Sequence, residues 1–276
     1  MSVQGKVVAI TGTSSGIGRT VAEVFAERGA LVVGCARRTD KGQALEEKIR
    51  AAGGQFSFVT TDVTKKSECD RFVDTVVEKH GRIDVLINNA GGSKWAVTDT
   101  LTEAEFDHEL RLNLYAALFC SQRAIHHMKP AGGGLILSIA SVAGVLAEAY
   151  AAGYNSAKAA LIQLSKTLAV EYLDQKIRAN VIVMGGAPTP AAGNAVRDAV
   201  RLLKGEGAEP DWKQHLPTPL TGTPLREIGT ALVALSGDDA RCITGAVIAI
   251  DQAQSAGSLY SEAILHAMTG GWNKAG

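Results

Sequence analysis

The chain has 276 residues, 46% apolar and 20% charged, with Lys+Arg and Asp+Glu equal at 28 each. That balance excludes a global field drawing the protein to nucleic acid or an anionic membrane. No apolar run approaches the ~20 residues that span a bilayer, and the opening MSVQGKVVAI has no basic leader pattern. The four cysteines (Cys35, Cys69, Cys120, Cys242) show no C-x-x-C spacing and fit small, partly buried, reduced thiols in a cytoplasmic protein. Adjacent His126 and His127 point apart on a helix and make a poor metal pair, so no metal is expected.

In chain order, short β-branched runs at 6–11, 31–36, 56–60, 84–88, 134–139, 177–183 and 246–250 alternate with helical patterns at 17–28, 41–52, 67–80, 103–128, 150–173 and 225–235. Strands with continuous apolar character, alternating with helices, predict a Rossmann-like, doubly wound parallel α/β sheet of about seven strands, with helices on both faces. One domain over 1–276 is expected. Six of the seven prolines fall at 188, 190, 210, 217, 219 and 224. The segment 188–224 therefore reads as an inserted binding loop, with 191–204 able to form a helix. The tail 254–276, carrying Tyr260, His266, Met268 and Trp272, reads as an extension that closes a pocket, packs on a neighbouring subunit or does neither.

The first strand runs into Thr11-Gly12-Thr13-Ser14-Ser15-Gly16-Ile17-Gly18 and a helix follows at once. Glycines in such a turn let the backbone approach a pyrophosphate, whose charge is then met by the helix N-terminus. The second strand ends in Ala36-Arg37-Arg38 rather than in the acid that accepts from a ribose 2′-hydroxyl. Two guanidinium groups suit a 2′-phosphate, so NADP(H) is favoured and NAD(H) is the alternative. Tyr154 and Lys158 lie four apart on one helix face. An ammonium there is expected to lower the tyrosine pKa, fitting it to exchange a proton with a carbonyl or hydroxyl oxygen. Ser141, just past the fifth strand run, sits where open α/β sheets bind ligands and reaches toward the same oxygen.

These residues, with Asp62-Val63, Asn88-Asn89-Ala90-Gly91 and Asn113 in order between them, resemble the short-chain dehydrogenase/reductase family over about residues 6–250, in its subset with Arg after the second strand. The resemblance implies Tyr154 as acid/base, Ser141 as the carbonyl-orienting group, and Lys158 as ribose ligand and pKa-lowering charge. It implies Asn113 as the asparagine that kinks its helix and holds a relay water. It places the cofactor along Gly12, Ser14, Ser15, Gly16, Ile17, Gly18, Arg37, Arg38, Asp62, Val63, Asn89, Ala90, Gly91, Tyr154, Lys158 and Thr189. The sequence departs from the family at Met184-Gly185, where Pro-Gly is common, and at Asp251-Gln252-Ala253, where Asp-Gly-Gly often stands.

The function expected is hydride transfer between a nicotinamide cofactor and a ketone or secondary alcohol, as a carbonyl reductase or alcohol dehydrogenase. An NAD-linked enzyme and a non-catalytic dinucleotide binder are the competing readings. A small-molecule substrate is expected in a pocket of Gly92, Ser93, Trp95, Leu146, Tyr150 and the 188–215 loop, with an apolar wall suited to a ring or long alkyl ketone. The helices at 103–128 and 150–173, whose equivalents pair between subunits in the family, imply a homotetramer or homodimer.

Overall fold

The β-branched and apolar runs build seven parallel strands: β1 (Val7–Thr11), β2 (Leu31–Ala36), β3 (Gln55–Thr60), β4 (Val85–Asn88), β5 (Gly134–Ile139), β6 (Ile177–Met184) and β7 (Val247–Ile250). In this computed structural model, residues 3–209 and 223–256 are described. The helices are α1 (Gly16–Glu27), α2 (Thr39–Ala51), α3 (Lys66–His80), α4 (Glu103–Leu110), α5 (Ala116–Met128), α6 (Ala152–Glu171), α7 (Pro190–Lys204) and α8 (Leu225–Ser236). Strand order is β3-β2-β1-β4-β5-β6-β7. The order reverses between β1 and β4, which pair directly, Val8 with Val85 and Ile10 with Ile87. In such sheets the crevice beyond the strand C-termini at that reversal receives the ligand.

The two-residue period of each strand divides the core. Val8, Ile10, Val32, Ile87 and Leu137 point to one face and pack with Val21 and Phe25 of α1, Leu45 of α2, and Ile228 and Leu232 of α8. Their neighbours Val7, Ala9, Val33, Leu86 and Ile136 point to the other and pack with Phe72 and Val76 of α3, Cys120 and Met128 of α5, and Leu168 of α6. Burying one such Leu, Ile or Phe contributes about 1.5–3 kcal/mol. Cys35, Cys69 and Cys120 are buried in this second layer, as expected of small hydrophobes, but Cys242 is exposed.

Most boundaries shift by a residue or so from the sequence reading, and three differences have a visible cause. The strand expected to start at 84 starts at Val85, because the Asp84 carboxylate accepts from Val7 N (2.8 Å) and clips the entry to β4. The single helix expected over 103–128 is interrupted by a π-helical turn at Arg111–Tyr115. The helix expected from 150 begins at Ala152, because Tyr150 is in the left-handed region (φ 64). The helix expected within 191–204 is α7, opened by Thr189, whose Oγ1 accepts from Ala192 N (3.1 Å), and by Pro190 at the first position. Of the Pro-rich segment, 210–222 lies outside the described residues, as does 257–276 of the tail with Tyr260, His266, Met268 and Trp272. At the end of β7, Gln252 (φ 54) and Ala253 (φ 63) adopt the left-handed backbone that the family pattern gives to glycines.

Candidate active site

The β1–α1 turn is shaped by close backbone contact with the β4 loop. At Gly12 (φ +79) a methyl group would stand 2.9 Å from the Ala90 Cα, and at Gly18 one would stand 2.4 Å from both Asn89 Nδ2 and the Gly12 carbonyl oxygen. No side chain fits either position. Thr11 Oγ1 accepts from the N–H groups of Asn89 and Ala90 (both 3.0 Å), and Asn89 Nδ2 donates to the Thr11 carbonyl (2.9 Å). Thr11 is thus the clamp joining the β1–α1 turn to the β4 loop, the two segments that the resemblance gives to the cofactor, a role the sequence reading did not assign. Ser15 stands at the N-cap of α1 without capping it through its side chain.

Arg37 and Arg38 diverge. Arg38 folds back over the turn, donating to Ser14 Oγ through Nε (3.1 Å) and Nη2 (2.8 Å) and to Ser15 Oγ through Nη2 (2.7 Å). Arg37 lies toward Asp62 instead and helps hold that carboxyl below its ordinary pKa. Burial acts against that lowering, and the Thr64 hydroxyl and N–H supply most of it. Val63 is buried in the core beside Asp62. Thr189 faces the same turn, since a methyl group on Gly16 would stand 3.2 Å from its Cγ2. These residues fit a nicotinamide dinucleotide: a cradle too tight for any Cβ, an α-helix opening onto it, and a guanidinium at its rim.

At the ends of β4 and β5 the remaining candidates converge. Lys158 is 3% exposed, and its Nζ donates to the Ile139 carbonyl at the end of β5 (2.9 Å). Burial pulls its pKa down to about 8, with Glu109 acting the other way. The ammonium lies 5.5 Å from the Tyr154 ring centroid. Ser141 caps the short 3₁₀ turn Val142–Gly144, its Oγ accepting from Ala143 N (3.2 Å). Burial pushes the half-buried Tyr154 up to about 12; the Ser141 hydroxyl opposes this by hydrogen bonding, while Glu148 and Glu109 add to it. The expected lowering of the tyrosine by Lys158 is therefore not what this protein shows: the ammonium approaches the ring and is held by a carbonyl, and desolvation dominates.

Asn113 is buried in the π-helical turn. Its Nδ2 donates to the carbonyls of Gly92 (2.8 Å) and Glu109 (3.1 Å), and its Oδ1 accepts from Gly92 N (3.1 Å). The wider turn frees backbone groups, and the amide binds one of them while bracing the Gly91-Gly92 loop. A methyl on Gly91 would lie 2.8 Å from Asn113 Oδ1 and 3.2 Å from Lys158 Nζ, so the three share one small volume. Among the pocket candidates, Ala96 N donates to the Tyr150 carbonyl (2.9 Å), which draws the Trp95 loop against the segment before α6, where Leu146 is exposed.

The family model for short chain dehydrogenases matches residues 6–199. An uncharacterized oxidoreductase of Thermotoga maritima is 34% identical over 262 residues, covering 93% of this chain and 100% of that protein. A 3beta-hydroxysteroid dehydrogenase of Mediterraneibacter gnavus is 32% identical, covering 89% and 93% of the two chains. A crystal structure of an actinorhodin polyketide ketoreductase variant with NADPH superposes with a TM-score of 0.84 at 26% identity, over 92% of this chain and 99% of that one. With a parallel seven-stranded sheet and these matches along most of its length, the chain belongs to the short-chain dehydrogenase family, oxidoreductases that move a hydride between a nicotinamide cofactor and small-molecule alcohols or ketones.

Proposed function

We propose that the protein is an NADP(H)-dependent oxidoreductase of ketones and secondary alcohols, with Tyr154 as the acid/base. The observation that carries this reading is the gathering of Tyr154, Ser141 and Lys158 at the end of β5, beside the glycine cradle. When bound, the nicotinamide supplies or accepts the hydride. Tyr154 donates its hydroxyl proton to the carbonyl oxygen in reduction and takes the alcohol proton in oxidation. Ser141 holds that oxygen in place. Lys158 is expected to bind the ribose and, with Asn113, to pass a proton to the tyrosine in reduction and away from it in oxidation. The loop carrying Trp95, drawn toward Tyr150 by the Ala96 N–H, and the exposed Leu146 are assigned to an apolar wall suited to a ring or long alkyl substrate, in keeping with the steroid named for one relative. Turnover of cyclic and long-chain ketones with NADPH, assayed as a panel, tests the reading; cofactor binding with no turnover on any of them overturns it.

The cofactor preference rests on Arg38 over Ser14 and Ser15, and NADPH in the ketoreductase structure supports it. A charge-assisted contact to phosphate contributes about 1.5–3 kcal/mol, so NADPH should bind at least about tenfold tighter than NADH. Arg38→Leu combined with Arg37→Asp should remove most of that ratio. Equal affinities in the unmodified protein, measured by fluorescence titration, contradict the preference.

Assembly through α5 and α6 belongs to the same proposal. Val170 (79% exposed) near the end of α6 and Leu173 (62%) just beyond it present apolar side chains to solvent. Light scattering at micromolar concentration should give a dimer or tetramer mass, and a monomer mass refutes the arrangement.

A further inference from the structure

One buried ionisable group has no part in the roles above. Glu109 lies in the last turn of α4 and is only 4% exposed. Carboxylates that deep are rare and need partners, and the partners here belong to the proposed site. Its Oε2 accepts from Asn113 Nδ2 (3.0 Å) and its Oε1 from Lys94 N (2.8 Å), on the loop that follows β4. Gly153, the residue before Tyr154, leaves its space: a methyl there would stand 3.0 Å from both Cβ and Cγ of Glu109. The carboxylate is therefore wedged between α6, the Asn113 turn and the loop carrying Gly91 and Gly92.

We propose that Glu109 is a positioning residue of this site, holding the Asn113 amide against the Gly91-Gly92 loop and presenting a negative charge that governs proton exchange at Tyr154 and Lys158. The proposal rests on the reading of Tyr154 and Lys158 as the acid/base pair. The charged and titratable groups facing Glu109 are Lys158 of α6, His108 of its own helix and Lys94, which is itself paired with Glu105 (2.6 Å). Those facing Tyr154 are Glu109, Lys158 of its own helix, whose ammonium lies 5.5 Å from the ring centroid, and, from the segment before α6, Glu148. Burial is the largest influence on Glu109 and raises its pKa; the Lys94 N–H, His108, Lys158 and the Asn113 amide oppose it. Once ionised, its charge raises both Lys158 and Tyr154. Removing the charge lowers both.

Glu109→Gln removes the charge and keeps one of the two acceptor oxygens, while Glu109→Asp keeps the charge. In the oxidation direction the rate rises as Tyr154 ionises. The rising limb of kcat/KM should move to lower pH by about half a unit or more in Glu109→Gln and stay in place in Glu109→Asp. A merely structural role lowers the rate by one factor at every pH and moves nothing, which would overturn the proposal. If Tyr154→Phe turned over normally, the acid/base reading itself would fail; an inactive Tyr154→Phe with an unshifted Glu109→Gln profile overturns only the role of Glu109.

A readout without turnover is the pH dependence of unfolding free energy. A lysine depressed in the folded state binds fewer protons than in the unfolded chain, so stability climbs as pH rises from the folded pKa to the unfolded one. That climb should begin at lower pH in Glu109→Gln than in the unmodified protein, and coincident curves contradict the proposal. Should Glu109→Gln fail to fold, lysine-selective NMR of the unmodified protein replaces it. The Lys158 resonance, assigned by its loss in Lys158→Met, should then show a second, acid-side inflection from Glu109, and a single inflection overturns the idea.

Discussion

Tyr154→Phe should cut kcat by about 10²–10⁴-fold, the range that a positioned acid or base supplies, and leave cofactor binding unchanged. Phenylalanine keeps the ring that packs half-buried on α6 near the Lys158 ammonium. It loses the hydroxyl on which Ser141 acts, the atom assigned to exchange a proton with substrate oxygen. Steady-state rates in both directions, with cofactor affinity measured separately, give the split: kcat falls and the affinity stands. In the unmodified protein the oxidation rate should rise with pH, because the phenolate is the base. Burial and the two nearby carboxylates hold the hydroxyl up, so that limb belongs above neutral pH. Near-normal turnover by Tyr154→Phe on a true substrate removes the chemistry from this cluster.

Lys158→Met should lose turnover by a comparable factor and weaken cofactor binding as well, since one ammonium is assigned both tasks. Its stability signature runs the opposite way. Lys158 is 3% exposed with its pKa drawn from 10.5 to about 8, so the folded protein holds this proton less tightly than the unfolded chain does. Stability therefore rises with pH across the window from about 8 to 10.5, by roughly 3 kcal/mol. Subtracting the unfolding free energy of Lys158→Met from that of the unmodified protein at each pH should isolate this rise. A flat difference shows that the lysine is not desolvated as described. A variant more stable at neutral pH yet inactive fits a buried charge kept for chemistry rather than for folding.

The parts of the site that rest on neighbours in sequence were legible early. The glycines at 12, 16 and 18 announce a tight strand-to-helix turn, and the four-residue spacing of Tyr154 and Lys158 puts both on one helix face. Glu109 was not legible. It is one of three glutamates in EAEFDHEL, and helical periodicity runs through 103–128 without marking the π turn that directs Asn113 onto it. The signal available was its place one turn before Asn113. Arg37 and Arg38 were equivalent in the sequence, and only the fold sends one to Ser14 and Ser15 and the other toward Asp62.

The sequence by itself determined the α/β class, the element order, the phosphate turn and the Tyr154–Lys158 pairing. Each depends on residues within a few positions of one another, where side-chain period and backbone freedom act directly. Only the tertiary structure decided which segments meet at the reversal between β1 and β4. That meeting closes Thr11 on Asn89, while the packing of α4 on α6 sets Glu109 and Gly153 in contact and burial lifts the Tyr154 pKa that the nearby lysine was expected to lower. Desolvation and charge depend on everything packed around a group, and strands far apart in the chain supply that surrounding.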